Sequence, residues 1–313
     1  MIPGMHEIIL HHYPQSPYSE KVRLTFGLKG LSWRAVEQPS IMPKPELLPL
    51  TGAYRKIPVM QIGADVYCDS QCILRELERR HPTPTIHPNG EATSWAYAFW
   101  SDRVFFQACV GVIFGQMADQ VPKEFIEDRS KLMGAGARFD TGAMKAAVPI
   151  LKESLRAQLD WLDTQLGDGR RFLGGDEPGL ADFTSYHPVW FLASYYPPAG
   201  EVLAAHRHLN AWRDRVRAIG HGKVAAMDRK EALEIARAAS PETRVSADPG
   251  EPNGLKPGDK VMVMPDDYGR DPVAGELVRS SAQEIALRRV DPALGEIVVH
   301  FPRAGFMVMR AGG

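Results

Sequence analysis

The sequence predicts three units in series: a mixed α/β unit, an all-helical unit, and a short all-β unit of the SH3-like barrel type. Three observations carry that prediction. Residues 6–82 alternate short apolar runs with helical periodicity, and residues 90–238 keep only the helical period. Residues 257–313 hold five short apolar runs separated by polar, Pro or Gly turns. At 313 residues, each unit has enough chain to bury a core.

Within the first unit, taken as residues 1–82, Ile8-Ile9-Leu10 reads as a buried strand leading to His11, His12 and Tyr13. The two histidines, on alternating faces of the strand end, read as structural. Pro14 and Pro17 break the chain before a helix over about 19–29, with Ser19 as its N-cap and Gly30 as its stop. A second strand follows over 33–37. Pro39, Pro43, Pro45 and Pro49 then make an irregular connection. Residues 59–68 read as a hairpin, and a helix follows with Ile73, Leu74 and Leu77 inward until His81-Pro82.

The second unit, 90–238, reads as helices over 93–117, 123–133, 143–166, 180–195, 201–217 and 223–238. Leu151, Leu155, Leu159 and Leu162 form a stripe at helical spacing, and Pro149 kinks that helix or delays its start. Residues 239–256, with Pro241, Pro249 and Pro252, read as a linker to the third unit at 257–313.

Composition narrows the function classes. The formal net charge is −1, with both signs interspersed, which argues against a nucleic-acid or acidic membrane partner. In the third unit Arg279, Arg288, Arg289, Arg303 and Arg310 are scattered among acids, so that unit reads as packing on the rest of the body. No apolar stretch reaches membrane-spanning length, and residues 1–7 lack the order of a secretion leader. Three cysteines make no disulfide framework; a cytoplasmic protein is expected. Cys68 and Cys72 read as small buried hydrophobes, and no metal set is evident around them.

Three short motifs remain. Ser16-Pro17-Tyr18-Ser19 offers hydroxyls beside a helix start. Ile57-Pro58 marks a strand start that cannot donate to a ladder at proline. Asp69-Ser70 sits where the hairpin gives way to a helix, so Asp69 can cap that helix and also face an ammonium. Together they suit a small peptide with an amine, a backbone edge and a thiol.

These motifs resemble the amino-terminal domain of the cytosolic glutathione transferases, whose thioredoxin-like strand and helix order also agrees. Residues 13–23 resemble the active-site segment of the serine and cysteine classes, Arg55-Lys56-Ile57-Pro58-Val59 the cis-proline segment, and Asp69-Ser70 the acidic-Ser signature. His208-Leu209-Asn210-Ala211-Trp212-Arg213-Asp214-Arg215 and Pro178-Gly179-Leu180-Ala181-Asp182 resemble late segments of the helical transferase domain. Gly179 departs from the family's Ser or Thr, so half of the reciprocal capping pair is missing. The resemblance covers residues 6 to about 225.

The resemblance implies glutathione as co-substrate and a small hydrophobic electrophile as its partner, in a detoxifying homodimer. It makes Ser16 the thiol contact, with Ser19 the lesser alternative, and Ile57, beside Pro58, the partner of the cysteinyl backbone. It puts Asp69 and Ser70 at the γ-glutamyl end, Lys44 and Lys56 at the glycyl carboxylate, and Tyr13, Tyr18, Phe99 and Arg103 in the electrophile pocket. A thiol of pKa about 8.5 is only about 3% thiolate at neutral pH, and lowering it by about two units takes about 2.7 kcal/mol. A hydroxyl donor and a helix N-terminus supply that kind of stabilisation, so Ser16 need not be a nucleophile. A non-catalytic scaffold of the same fold, or a glutathione-dependent reductase or ether-cleaving enzyme, are the alternatives.

Overall fold

The first helix begins earlier than its periodicity suggests. In the computed structural model, which describes residues 7–134, 138–195 and 198–311, strand β1 (Ile9–His12) is followed by helix α1 (Pro17–Leu28). Ser16, not Ser19, is the N-cap, and its Oγ accepts the Ser19 N–H at 3.2 Å. Pro17 fits the first helical position because an N–H there would have no intrahelical partner. Residues 1–6, read above for a secretion leader, lie outside the described residues.

Strand β2 (Ser32–Glu37), the short helix α2 (Leu48–Thr51), β3 (Val59–Ile62), β4 (Asp65–Cys68) and α3 (Ser70–Arg80) follow. β1 pairs parallel with β2 and antiparallel with β3, which pairs antiparallel with β4. This is a thioredoxin-like sheet. Strand alternation sends Leu10, Met60 and Tyr67 to the face covered by α1 and α3, and Ile9, Val59 and Val66 to the opposite face.

The helix expected over 93–117 forms as α4 (Glu91–Trp100), a π-helical turn (Ser101–Phe105) and α5 (Phe106–Gln116) in one run. Helices α6 (Lys123–Met133), α7 (Thr141–Leu166) and α8 (Leu180–Tyr195) complete the bundle centre, with α9 (Ala199–Ala204) and α10 (Arg207–Arg217) split at His206 where one helix was expected. Leu155, Leu159 and Leu162 of the predicted stripe join Cys109 and Val112 of α5 in the helical core, and Pro149 lies inside α7. Asp182 accepts from the main-chain N–H of Gly179 at 3.0 Å and Leu173 at 2.8 Å and from the Trp212 indole at 2.7 Å. Gly179 itself has no room for a side chain: a Cβ there would sit 2.6 Å from Pro88 Cδ and 2.7 Å from Ile86 O.

The run 223–238 does not belong to the helical unit. It forms strand β5 (Lys223–Ala226), parallel to β2 at the edge of the thioredoxin-like sheet, and helix α11 (Arg229–Ala238). The cause is local. Gly222 adopts φ +71°, and a Cβ there would lie 2.4 Å from Leu31 O, so the chain turns sharply and feeds the open edge of β2. α11 then covers the second face of the sheet, with Met227 and Ala232 against Ile9 and Val36.

All five strands expected in the third unit form: β6 (Lys260–Pro265), β7 (Val273–Ser280), β8 (Glu284–Asp291), β9 (Gly295–Pro302) and β10 (Phe306–Arg310). They are antiparallel, and the first pairs with the last, giving the order β10-β6-β7-β8-β9 of an SH3-like unit. Its edge strand β9 pairs in parallel with β4, through Asp65, Val66 and Tyr67 opposite Val298, Val299 and His300. One ten-stranded sheet therefore runs through both β-containing units. Their apolar interior is also shared, since Tyr54, Val59 and Val66 pack with Val261, Leu287 and Phe301.

Candidate active site

The loop between β1 and α1 is held from below by Arg23. Its guanidinium donates to Tyr13 O at 3.4 Å and Pro14 O at 3.0 Å and pairs with Glu20 at 2.6 Å. The loop presents Ser16 to a cavity of about 600 Å³. Because the Ser16 oxygen accepts from Ser19 N–H, its own O–H remains a donor, and the Ser16 main-chain N–H donates to Tyr13 O at 3.0 Å. Burial pushes the Tyr13 phenol above its ordinary range. Ser19 is fully buried beneath the loop and borders no part of the cavity.

The Ile57–Pro58 peptide bond is cis, and both residues border the cavity just ahead of β3. Asp69 caps α3, its Oδ1 accepting the Gln71 N–H at 2.8 Å. Its φ of +75° is the only positive value at a non-glycine position among the described residues. A short carboxylate tolerates that region better than most side chains, at a cost of order 1–3 kcal/mol. Burial raises the Asp69 carboxyl, against the pull of the Gln71 N–H, Lys21 and Lys56. A ligand ammonium beside it would stabilise the ionised form, so the residue suits the amino end of a peptide. Ser70, buried at the first position of α3, lines the same wall.

All of the sequence-predicted site residues border this one cavity: Tyr13, Ser16, Tyr18, Lys44, Lys56, Ile57, Pro58, Asp69, Ser70, Phe99 and Arg103. Phe99 and Arg103 are at a partly exposed rim, where Arg103 pairs with Asp266 of the third unit at 2.8 Å. The apolar wall is made of residues that sequence spacing did not single out for it: Phe106, Val110, Phe114, Phe125, Phe139 and Phe191. Tyr18 joins it, its ring 4.9 Å from that of Phe106 and its hydroxyl donating to Asp102 O at 2.9 Å.

Asp102, on the π-helical turn, also faces the cavity and anchors it to the helical unit. Lys21 from α1 meets its Oδ2 at 2.5 Å and His187 from α8 its Oδ1 at 2.9 Å. Burial alone would raise this carboxyl, but Lys21 and His187 hold it down to about 2. No sequence pattern pointed to this trio, whose members lie 81 and 85 residues apart.

The two lysines differ. Lys44 is buried, donates to Arg55 O at 2.9 Å, and has its amine lowered to about 7 by burial and then by Arg129 and Arg55. Lys56 pairs with Asp267 of the β6–β7 loop at 2.7 Å, and its amine lies 4.0 Å from the Tyr268 ring centroid. Asp267 and Tyr268 line the cavity too, although sequence analysis treated their unit as separate from the site. Among the described residues no cluster of His, Cys, Asp and Glu is arranged to hold a metal ion, and no helix is long and apolar enough to cross a membrane.

Comparison with known proteins agrees with this architecture. The family model described as the glutathione S-transferase N-terminal domain matches residues 10–85, and the corresponding C-terminal domain model matches residues 137–215. A probable glutathione S-transferase of Solanum tuberosum is 24% identical over 213 residues, covering 67% of this chain and 86% of that protein. FtsZ-localized protein A of Caulobacter vibrioides is 28% identical over 193 residues, 57% of this chain and 74% of that protein. The solved structure of a GST-like protein from Pseudomonas syringae is 37% identical, with a TM-score of 0.81, over 98% of this chain and all of that one. The likeness to that structure thus extends through the third unit.

Proposed function

This chain belongs to the glutathione S-transferase family, and on that premise we propose that it is a transferase joining glutathione to a small hydrophobic electrophile. The single observation that carries the reading is that Ser16 and Asp69, on two different helix N-termini, border one cavity whose far wall is aromatic. When bound, glutathione supplies a thiolate that forms a bond to the electrophilic carbon. A leaving group such as a halide departs with its bonding pair or, in an activated alkene, the π pair moves to the neighbouring acceptor and is protonated from solvent. Ser16 and the first turn of α1 hold the sulfur as its anion, and its proton goes to solvent. The Tyr13 carbonyl, accepting the Ser16 main-chain N–H at 3.0 Å, helps hold the loop that carries Ser16. Ile57 offers main chain beside the cysteinyl residue, while Asp69 and Ser70 take the γ-glutamyl ammonium and carboxylate. Phe106, Phe114 and Phe191 receive the electrophile, and Lys44 takes the glycyl carboxylate. A cytoplasmic homodimer with a detoxifying role is the setting this reading expects.

A second reading has a specific motive. A relative named FtsZ-localized protein A shares 28% identity over 193 residues, so a binding module built on the same site is the rival. Turnover of an aromatic electrophile with glutathione separates the two. In Ser16→Ala, a loss of about a hundredfold in kcat with glutathione affinity retained supports the transferase. The ultraviolet thiolate band of bound glutathione at neutral pH should be present in wild type and diminished in that variant. Tight glutathione binding without turnover across a broad electrophile panel would replace the enzyme with the module.

A further inference from the structure

The third unit reaches into the active site. Its β6–β7 loop extends from Pro265 to Val273 and bridges the two walls of the cleft. On one wall Asp267 pairs with Lys56 at 2.7 Å, and on the other Asp266 pairs with Arg103 at 2.8 Å. The Gly269 N–H donates to Leu132 O at the end of α6, at 2.7 Å. Close packing explains that glycine: with φ +66°, a Cβ there would lie 2.8 Å from Leu132 Cδ1 and 3.0 Å from Lys56 Cε. The loop is thus fitted to the cleft at both ends, with Tyr268 set against the Lys56 amine between them.

We propose that Asp267 is a specificity-determining residue of the thiol-donor site, withholding Lys56 from the donor's terminal carboxylate. The proposal rests on the reading of the cavity as a glutathione site. A donor with its amino end at Asp69 and its sulfur at Ser16 sends its third residue past Ile57, toward the lysines that flank that segment. A carboxylate arriving there finds Lys56 already neutralised and a second carboxylate beside it. Lys44 donates to Arg55 O at 2.9 Å and, among the described residues, makes no ion pair of its own, so it is the lysine left to meet that carboxylate. Asp267 is more than one-third exposed, so its pairing with Lys56 is modest in strength and adjustable by substitution. The loop therefore lowers the value of a free carboxylate at that end, so thiol peptides whose C-terminal acid is amidated or esterified are accepted nearly as well as the free acid.

Binding of glutathione and of its glycyl monoethyl ester, measured by calorimetry, tests this directly. Wild type should bind the two within about threefold of each other. Asp267→Asn should bind glutathione about three- to tenfold more tightly while its affinity for the ester stays put. Asp267→Glu should keep the wild-type ratio, and adding Lys56→Gln to Asp267→Asn should erase the gain. Because the expected change is tighter binding, a poorly folded variant cannot imitate it. An unchanged ratio in Asp267→Asn, or equal weakening of both ligands, overturns the proposal while leaving the glutathione site intact. Failure of wild type to bind either ligand overturns the proposal and the glutathione reading together.

Discussion

His300 Nε2 lies 3.1 Å from Asp65 Oδ1, across the seam where the third unit's β9 joins β4 of the thioredoxin-like sheet. The other ring nitrogen meets Glu284 Oε1 at 2.6 Å, and the imidazole stacks on Tyr67 with centroids 4.3 Å apart. Burial by itself lowers the His300 pKa, but the two carboxylates outweigh it and the net shift is upward.

That shift sets a pH dependence. A base whose folded pKa is raised lends its full stability below its unfolded value of 6.5, and loses it as pH rises through the higher folded value. His300→Gln should destabilise the protein by about 3–5 kcal/mol at pH 6, the scale for breaking a buried pair. The gap between wild type and variant should narrow as pH rises from 6.5 through the higher folded value. Denaturant melts across that range check it, and a gap that widens with pH would contradict the assignment of the charge.

The seam also makes the third unit necessary to the first. Ending the chain at residue 238 would uncover the hydrogen-bonding edge of β4 and strip Val59, Val66 and Tyr54 of their apolar partners. We expect that truncation to aggregate or to bind a hydrophobic dye strongly, by gel filtration and fluorescence. A monodisperse product with a sharp melt would show the first two units to be self-sufficient.

At Gly179 the expected change is steric. Gly179→Ser restores the residue type of the related capping pair, yet its Cβ would lie 2.7 Å from Ile86 O and 2.6 Å from Pro88 Cδ. A stability loss of about 1–3 kcal/mol should follow, read as a lowered denaturation midpoint. A stabilised variant would mean that the 86–88 segment yields at little cost.

Lys44 gives a pH signature at the ligand site. With its amine lowered to about 7, it should hold a carboxylate at pH 6 and release it as pH rises toward 8.5. S-methylglutathione, which has no thiol to titrate, should therefore bind about three- to tenfold more weakly at pH 8.5 than at pH 6. Lys44→Met should bind weakly at both pH values and flatten the profile. A flat profile in wild type would remove Lys44 from the carboxylate site.

Much of this molecule was legible as sequence because its signals are local. The period-2 and period-3.6 apolar runs marked both the thioredoxin-like unit and the helical unit, and the turn-separated runs after residue 257 marked all five late strands. The motifs around Ser16, Ile57 and Asp69 were readable because each lies at an element boundary, where side-chain caps and special backbone angles leave a trace in residue type. Local signals fail where two distant segments decide the outcome. Ser16 took the cap from Ser19 for a reason that is local, since Pro17 can open the helix, whereas residues 223–226 became a strand only because β2 had an edge to offer. The trio of Lys21, Asp102 and His187 and the approach of Asp267 to Lys56 join residues tens to hundreds of positions apart. Pairing across such distances is fixed by packing and by the burial of charge, which have no period along the chain.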